Sequence, residues 1–323
     1  MISKFFVAIL GPTATGKSAL GLALAERYRG EIVNCDSTAV YRGFDIGTDK
    51  VPLGQQRGIP HHLIDVVEPT GEYTAAQYAH DASAVIRDID RRGGLAILVG
   101  GTGFYFRALT RGLFPGPGRD GVLRGRLESI AARKGAAALH RLLARVDAPS
   151  AVRIQPRDLK RMVRALEVFF LTGRPLTAHF ADTIAPLPEF DVLPIGVHLP
   201  APQIAERVLR RVDEQFDRGL LEELRGLLAQ GVPETARPFG GLVYRQVLEH
   251  LHGVRDEVAT RALVVQENRR YARRQLIWFR KEPNLIWLDG PGESPSTIAA
   301  ADHLIAQRQS QPRNESLWKD TAS

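Results

Sequence analysis

The sequence predicts an α/β fold, in which a parallel sheet is flanked by helices and carries an all-helical insertion domain. Three observations lead to this prediction. The apolar run Phe5–Leu10 is followed by a glycine-rich turn and a helical pattern, as in a strand–turn–helix unit. Further short apolar runs recur at Glu31–Asn34, Leu95–Val99 and Asp191–Leu199. Residues 113–190, in contrast, combine Gly- and Pro-rich linkers with helical patterns.

The first turn has the spacing of a phosphate-binding loop. Gly11–Ser18 reads G-x-x-x-x-G-K-S and lies between a predicted strand and a predicted helix. Backbone N–H groups of such a loop converge on phosphate oxygens, Lys17 adds a positive charge, and the Ser18 hydroxyl is placed to bind Mg²⁺. The motif predicts a P-loop NTPase-like core, although it does not identify the phosphate compound. The predicted phosphate-binding residues are Gly11, Pro12, Thr13, Ala14, Thr15, Gly16, Lys17 and Ser18.

Two other strand ends are predicted to face the same crevice, because functional groups gather at the carboxyl ends of parallel strands. Asp36 follows the second strand, and Gly100–Gly103 follows the strand Leu95–Val99. Asp36 is a candidate catalytic carboxylate, with a turn or helix-cap aspartate as the alternative. P-loop proteins that hydrolyse ATP usually end a strand with an acidic residue that holds Mg²⁺, and Leu95–Val99 lacks one. The loop is therefore predicted to hold a diphosphate that leaves, unless Asp36 supplies that acidic group.

Composition narrows the class of protein. Cys35 is the one cysteine, so an internal disulfide is excluded. The sequence has no apolar run of about 18 residues, which argues against a membrane span. His61 and His62 point to opposite faces of an extended segment, which favours a structural role over a shared metal site. We therefore expect a cytoplasmic protein.

Positive charge is concentrated in one segment. The formal net charge of the chain is +7, and its pI is near 9.7. Residues 119–174 contain thirteen lysines and arginines against five acidic residues, a net charge of +8. This concentration favours a nucleic-acid surface, with a solvated basic face as the alternative. Residues 267–281 mix arginines with Trp278 and Phe279, a combination that contacts phosphates and stacks on bases, although these aromatics could also lie in the core.

These features divide the chain into four segments. We predict a first core part at 1–112, a helical insert at 113–190, a second core part at 191–305 that includes the basic helix 267–281, and a disordered tail at 306–323.

Several stretches together carry a family resemblance that none carries alone. They are Gly11–Ser18, Asp36–Ser37, Tyr41–Thr48, His61–Asp65, Gly100–Gly103, Arg161–Val168, Tyr244–Gln246 and Arg273–Arg280. In this order they resemble the tRNA dimethylallyltransferase family, also called the tRNA isopentenyltransferase or IPP transferase family.

The resemblance implies transfer of a dimethylallyl group from dimethylallyl diphosphate to the N6 amine of the adenosine 3′-adjacent to the tRNA anticodon. It also implies Mg²⁺ as cofactor, an insert that grips the tRNA anticodon stem-loop, and a channel through the core with diphosphate entering one end and adenine the other. We expect a monomer.

The resemblance also assigns roles to residues. Asp36 is the candidate base for the adenine amine, while Thr13, Lys17 and Mg²⁺ near Ser18 would stabilise the departing diphosphate. Thr102 completes the predicted catalytic set. The predicted tRNA-binding residues are Asp36, Ser37, Thr38, Ala39, Thr102, Arg124, Lys160, Arg161, Met162, Val163, Arg164, Gly240, Gly241, Leu242, Val243, Tyr244, Arg245, Arg273, Arg274, Gln275, Leu276, Ile277, Trp278, Phe279 and Arg280.

Two positions depart from the family pattern. Val243 stands where the family usually has Gly, and Ile277 stands where it usually has Thr. Both exchanges introduce a bulky aliphatic side chain, and we hypothesise that the two lie close and repack together.

Three other functions stay open at this point. They are an adenylate isopentenyltransferase, a P-loop kinase of a small metabolite, and a non-enzymatic RNA-binding protein. The basic insert and the helix at 269–281 favour tRNA over the first two, because neither small substrate needs them. Intact Lys17, Ser18, Asp36 and Thr102 argue against the third.

Overall fold

The computed structural model describes residues 4–310, which form two units. The core combines the chain up to Thr110 with the chain from Leu187 onward, and the insert is Arg111–Pro186. The core is thus assembled from two separate stretches of sequence.

Within residues 4–310 the core holds a parallel sheet of six strands, in the order β3-β2-β4-β1-β5-β6. The strands are β1 (Phe5–Leu10), β2 (Glu31–Asn34), β3 (His61–His62), β4 (Ala96–Gly100), β5 (Asp191–His198) and β6 (Ile286–Asp289). β1 pairs with both β4 and β5, so that Ile9 lies opposite Val99 and Ile195. The predicted α/β fold with a parallel sheet is confirmed.

The helices follow in chain order. They are α1 (Lys17–Tyr28), α2 (Ala75–Arg91), α3 (Gly103–Arg111), α4 (Gly121–Lys134), α5 (Ala136–Val146), α6 (Ala148–Arg153), α7 (Leu159–Thr172), α8 (Leu176–His179), α9 (Ala201–Asp217), α10 (Leu220–Ala229), α11 (Tyr244–Leu251), α12 (Glu257–Phe279) and α13 (Pro295–Ser310). Helices α4 to α8 lie in the insert, and the others lie wholly or mainly in the core.

Two apolar clusters cover the sheet. Alternate residues of a strand face opposite sides, and β1 follows this rule. Ile9 packs with Leu20 of α1 and Ile305 of α13. Leu10 belongs to the other cluster, which includes Val264 of α12 and residues of α9 to α11. This arrangement places the carboxyl end of β1 between helices that come from both ends of the sequence.

The insert has an apolar core of its own. Leu139 and Leu143 of α5 are fully buried against Met162 and Leu166 of α7, and Leu127 of α4 joins them. The short helix α6 was not predicted from the sequence. Asp147 begins it by accepting a hydrogen bond from the N–H of Ser150 at 3.1 Å.

Two predicted boundaries are wrong. The chain is helical up to Ser310, because α13 buries Ile305 against the sheet, so residues 306–310 are not part of a disordered tail. Residues 311–323 lie outside the described residues. The basic helix predicted at 267–281 begins earlier, at Glu257, where the Asp256 side chain accepts a hydrogen bond from Ala259 N–H at 2.7 Å. None of the helices between residues 4 and 310 combines the length and apolar character that a membrane crossing needs.

Candidate active site

The phosphate-binding loop joins β1 to α1 and needs glycine at two positions. Gly16 caps α1 with φ of 87°, a backbone conformation that favours glycine. Gly11 has φ of 136°, and a Cβ at this position would lie 2.7 Å from the carbonyl oxygen of Val197 on β5. The glycines of the motif therefore serve the turn and its close contact with the neighbouring strand.

Lys17 folds back on its own loop. Its Nζ donates a hydrogen bond to the carbonyl oxygen of Pro12 at 2.5 Å. Burial first and the positive charge of Arg211 second lower the pKa of Lys17 to about 7, while the negative charge of Asp36 acts in the opposite direction. Within residues 4–310 the Lys17 ammonium forms no ion pair with a carboxylate. The loop therefore holds a cation without a paired anion.

Arg211 of α9 is a second cation at the loop, and the sequence did not single it out. Its Nη1 donates to the Thr13 hydroxyl at 2.5 Å, and its guanidinium forms an ion pair with Asp49. The segment around Asp49 therefore reaches the phosphate-binding loop through one arginine.

Gln275 of α12 ties two glycine-rich turns together. Its carbonyl oxygen accepts a hydrogen bond from Thr13 N–H at 2.8 Å, and its Nε2 donates to the Gly101 carbonyl at 3.0 Å. A Cβ on Gly101 would lie 2.2 Å from that Nε2, so Gln275 can approach only a glycine here. The basic helix is in this way joined to the site that it was predicted to serve.

Asp36 is oriented by the turn that follows it. Its Oδ1 accepts hydrogen bonds from Thr38 N–H at 2.8 Å, the Thr38 hydroxyl at 2.5 Å and Ala39 N–H at 3.4 Å. Within the described chain, its Oδ2 has no hydrogen-bond partner. Thr102 supports the same turn, since its hydroxyl accepts from Ser37 N–H at 3.1 Å. One carboxylate oxygen is thus held in place and the other is left for a ligand.

A cavity of about 340 Å³ is lined by Lys17 of the phosphate-binding loop, by Asp36 and by Gln275 of α12. The predicted residues along it are Thr13, Lys17, Ser18, Asp36, Ser37, Thr38, Ala39, Leu242, Val243 and Gln275. The lining residues that sequence reasoning missed include Asp49, Lys50, Arg211, Asn268 and Tyr271. Tyr271 carries a raised pKa because of burial first and the negative charge of Asp36 second. The cavity therefore brings the phosphate-binding loop, the Asp36 carboxylate and α12 together.

Comparison with known proteins identifies the family. A family model described as IPP transferase matches residues 39–282. Curated relatives named tRNA dimethylallyltransferase include one from Geobacter metallireducens, 47% identical over 91% of this chain and 95% of the relative. Another, from Solibacter usitatus, is 45% identical over 93% of this chain and 98% of the relative. The chain belongs to the IPP transferase family.

Solved structures of this family have the same fold. The tRNA isopentenylpyrophosphate transferase of Bacillus halodurans superposes with a TM-score of 0.71 at 33% identity, over 95% of this chain and 97% of that one. A eukaryotic dimethylallyltransferase, described as acting on tRNA, superposes with a TM-score of 0.80 at 26% identity, over 97% of this chain and 82% of that one.

In this IPP transferase the basic helix is partly core and partly surface, so the core interpretation applies to part of it. Phe279 is fully buried, whereas Arg107 lies 4.3 Å above the ring of Trp278. Arg273 and Arg274 are exposed. Contact with RNA through the arginines stays a prediction, and the Phe279 side chain is turned into the core.

Val243, at the start of α11, has an unusual backbone. Its φ of 76° and ψ of −65° lie in the γ-turn region that is rare for any residue with a side chain. A β-branched residue there is an outlier, and such strain costs of order 1–3 kcal/mol. Val243 is buried on the cavity wall, whereas Ile277 is 49% exposed. The predicted packing of these two side chains on each other stays a prediction.

In the insert, the predicted tRNA-binding residues separate into two groups. Arg124 Nε donates to Glu167 at 2.7 Å, and Arg164 Nη1 donates to the same carboxylate at 2.6 Å. Met162 and Val163 are buried in the insert core. The side chains of Met162 and Val163 therefore do not present a surface to RNA, and those of Arg124 and Arg164 bind Glu167. The exposed Lys160 and Arg161 are left as the candidates on α7.

Proposed function

We propose that this chain transfers the dimethylallyl group of dimethylallyl diphosphate to the N6 amine of the adenosine 3′-adjacent to the tRNA anticodon, with release of diphosphate. Membership of the IPP transferase family and the two curated relatives support prenyl transfer to tRNA. The observation that carries the assignment of roles is the shared cavity, in which a carboxylate with one free oxygen lies alongside a phosphate-binding loop.

The phosphate-binding loop and two cations are proposed to stabilise the departing diphosphate. As the allylic C–O bond breaks, its electron pair goes to the diphosphate oxygen and the negative charge there grows. Lys17 and Arg211 line the cavity and are placed to stabilise this charge, together with the loop N–H groups. Lys17 binds a phosphate oxygen after releasing the Pro12 carbonyl, which is its partner here.

The acceptor end rests on Asp36. An adenine amine is a weak nucleophile, because its lone pair is delocalised into the ring. It becomes acidic as the new C–N bond forms, and the free Oδ2 of Asp36 accepts the proton. Hydrogen bonds from Thr38 and Ala39 to Oδ1 hold the carboxylate in this orientation.

The donor groups at the loop fit a Mg²⁺ ion. Between residues 4 and 310 no cluster of three or more His, Cys, Asp or Glu side chains could hold a metal. Mg²⁺ needs no such cluster, because it keeps several waters and binds substrate phosphates with one or two protein oxygens. Ser18, which lines the cavity, would hold the ion. When bound, the ion neutralises charge on the diphosphate.

The RNA surface is assigned to exposed basic residues. Lys160 and Arg161 in the insert and Arg273 and Arg274 on α12 would contact tRNA phosphates, which fixes the orientation of the anticodon stem-loop. Extruding the target base costs a few kcal/mol, and these contacts offset that cost. We propose that the protein acts as a monomer in the cytoplasm.

The test is transfer of label from dimethylallyl diphosphate to unmodified tRNA. Asp36→Asn is expected to lower kcat by about 10²–10⁴-fold, the usual contribution of a general base, and to leave tRNA binding unchanged. The control is Asp217→Asn, an exposed carboxylate at the end of α9. Equal turnover by Asp36→Asn would remove that residue from the mechanism. Label on free AMP but not on tRNA would instead establish an adenylate prenyltransferase.

A further inference from the structure

Asp49 is held in place by its own turn and by α9. Its N–H donates to the carbonyl oxygen of Ile46 at 3.1 Å, and its φ of 53° is a left-handed conformation that aspartate tolerates better than most residues. Gln215 of α9 is 1% exposed, and its Nε2 donates to Asp49 Oδ1 at 3.1 Å and to the Ile46 carbonyl oxygen at 3.2 Å. One oxygen of the Asp49 carboxylate is therefore fixed.

The segment that leads to Asp49 is also fastened to α10 and α11. Glu223 of α10 accepts a hydrogen bond from Ile46 N–H at 2.7 Å. Gly47 N–H donates to the hydroxyl of Tyr244 on α11 at 3.0 Å, and a Cβ on Gly47 would lie 2.6 Å from the Tyr244 ring. Three helices thus hold this segment, so the Asp49 carboxylate is a fixed point for any side chain that binds it.

Arg211 binds the other oxygen of this carboxylate. It lies one turn before Gln215 on α9, and residues four apart lie on the same side of a helix. Its Nε forms the ion pair with Asp49 Oδ2, and its Nη1 donates to the Thr13 hydroxyl at 2.5 Å. In the chain from residue 4 to residue 310, Nη2 of Arg211 forms no hydrogen bond. Because a guanidinium is a planar fork of N–H donors, Asp49 and Thr13 together fix the plane in which the remaining donors lie.

Arg211 and Asp49 line two neighbouring cavities. Both line the cavity that contains Lys17, and both also line a more open cavity of about 390 Å³. The open cavity carries the acidic side chains of Glu214 and Glu293. Without Asp49, the guanidinium of Arg211 is free to turn toward these carboxylates and away from the phosphate-binding loop.

We infer that Asp49 is a positioning residue, which aims the Arg211 guanidinium at the diphosphate of the prenyl donor. The inference rests on the proposed function, in which Arg211 stabilises that diphosphate. The Asp49 carboxylate also repels the diphosphate, because both are negative. A donor that is already fixed loses little conformational freedom when the ligand binds, and we expect this gain to exceed the repulsion.

The experiment measures how the prenyl donor and its product bind. Label transfer to an unmodified anticodon stem-loop gives the KM for dimethylallyl diphosphate, and inhibition by inorganic diphosphate gives an inhibition constant. Asp49→Gly removes the side chain, while glycine adopts the left-handed backbone without strain. We expect Asp49→Gly to raise both constants by about tenfold, the scale of one hydrogen bond between charged groups. Asp49→Asn keeps an oxygen for Arg211 and should raise them by about threefold or less. The Kd for the stem-loop should stay the same in both variants.

Arg211→Met shows whether Asp49 acts through the arginine. If it does, Asp49→Gly causes no further loss in the Arg211→Met background, so that the two changes are not additive. Additive losses would overturn the inference and leave Asp49 as a structural residue of its turn. A lower KM in Asp49→Gly than in the unaltered protein would also overturn it, since the carboxylate would then act by repulsion.

The matched control is Asp213→Asn, another aspartate that pairs with an arginine. Asp213 is exposed on α9, lies 3.5 Å from Arg261 and lines neither cavity. Its neutralisation should leave the KM and the inhibition constant unchanged. Losses in Asp213→Asn as large as those in Asp49→Gly would contradict a specific role for Asp49.

The two proposals fail in distinguishable ways. If the unaltered protein labels no stem-loop at all, the proposed function falls and the inference falls with it. If it labels the stem-loop and Asp49→Gly keeps both constants of the unaltered protein, the inference alone is wrong.

Discussion

Buried charge is handled in opposite ways in the insert and at the phosphate-binding loop. In the insert, Glu167 is fully buried and receives hydrogen bonds from Arg124, Arg164 and the N–H of Asp120. Burial alone would raise the pKa of Glu167, but these hydrogen bonds outweigh it and lower the pKa to about 2. At the loop, Lys17 has a carbonyl oxygen as its hydrogen-bond partner, and its pKa falls to about 7.

The difference separates structural from binding charges. A buried charge whose partners are all supplied by the protein holds the fold together. A buried charge that lacks its counter-ion costs stability until a ligand supplies one. A diphosphate is a ligand of the required sign and size, which agrees with the proposed function.

The largest change in stability is expected when the ion pairs of Glu167 in the insert are broken. Glu167→Gln leaves two arginines without their anion and should lower the free energy of unfolding by about 3 kcal/mol, toward the low end for a broken buried ion pair because both guanidinium groups keep some solvent access. Urea unfolding followed by amide hydrogen exchange in residues 111–186 measures it. The control is Glu128→Gln, an exposed acid on α4, which should change stability by less than about 0.5 kcal/mol. Equal losses in the two variants would contradict a structural role for Glu167.

At the phosphate-binding loop we expect removal of a charge to raise the stability of the protein. Lys17→Met removes a half-buried cation that forms no ion pair within residues 4–310, and should raise the melting temperature at pH 6.5 by about 2–4 °C. The folded pKa of Lys17, about 7, lies below the ordinary lysine value of 10.5, so the unfolded state binds more protons between pH 7 and pH 10.5. The cost of Lys17 is therefore full below pH 7 and disappears as the pH rises toward 10.5, and the gain from Lys17→Met should shrink at pH 9.5.

Lys50 offers a matched control for Lys17. Lys17 is half-buried and Lys50 is buried, but Lys50 bonds Asp45 at 2.7 Å and Asp65 at 2.5 Å. Lys50→Met should therefore lower the melting temperature at pH 6.5. Adding diphosphate should stabilise the unaltered protein and should stabilise Lys17→Met less, because Arg211 and the loop N–H groups remain. If both lysine variants lose stability, the loop does not carry an unbalanced charge.

A smaller effect, on tRNA binding, is expected when exposed cations of the insert are removed. Lys160→Ala with Arg161→Ala removes two exposed cations and should reduce the slope of log K against log salt for tRNA binding by about 1.5. Exposed Arg218 and Arg225 of the core serve as the control pair, and their replacement by alanine should leave the slope unchanged. Arg164 is unsuitable for this test because it also holds Glu167. An unaltered slope in the Lys160 and Arg161 variant would place the RNA surface elsewhere.

The sequence predicted most of the sheet and much of the cavity lining, for identifiable reasons. Buried strands and the loop Gly11–Ser18 are local patterns, and the carboxyl-end rule brings Asp36 to the loop without further information. The extended segment at His61 and His62 was predicted, but its pairing with β2 as strand β3 was not, because two residues give no periodicity. The end of α13 was missed because polar residues dominate its last turn, although Ile305 anchors it.

Contacts between distant residues could not be predicted in this way. Arg211 is 198 residues from Thr13, and Gln275 is 262 residues from it. Nothing in a local pattern indicates such a pairing. Arg124 and Glu167 likewise counted as surface charge in the sequence, because a partner 43 residues away is invisible to composition. A signal that the sequence did offer was the spacing of Asn268, Tyr271 and Gln275 on one side of a helix that was interpreted from its arginines and aromatic residues.

The position of β1 in the sheet has a consequence for how the polypeptide is made. β1 pairs with β4, which ends at Gly100, and with β5, which begins at Asp191. The ribosome therefore synthesises the whole insert before β5, and during that time one edge of β1 lacks its partner strand. An open apolar edge is prone to join another chain. We expect that edge of β1 to stay without its partner strand until synthesis passes residue 198.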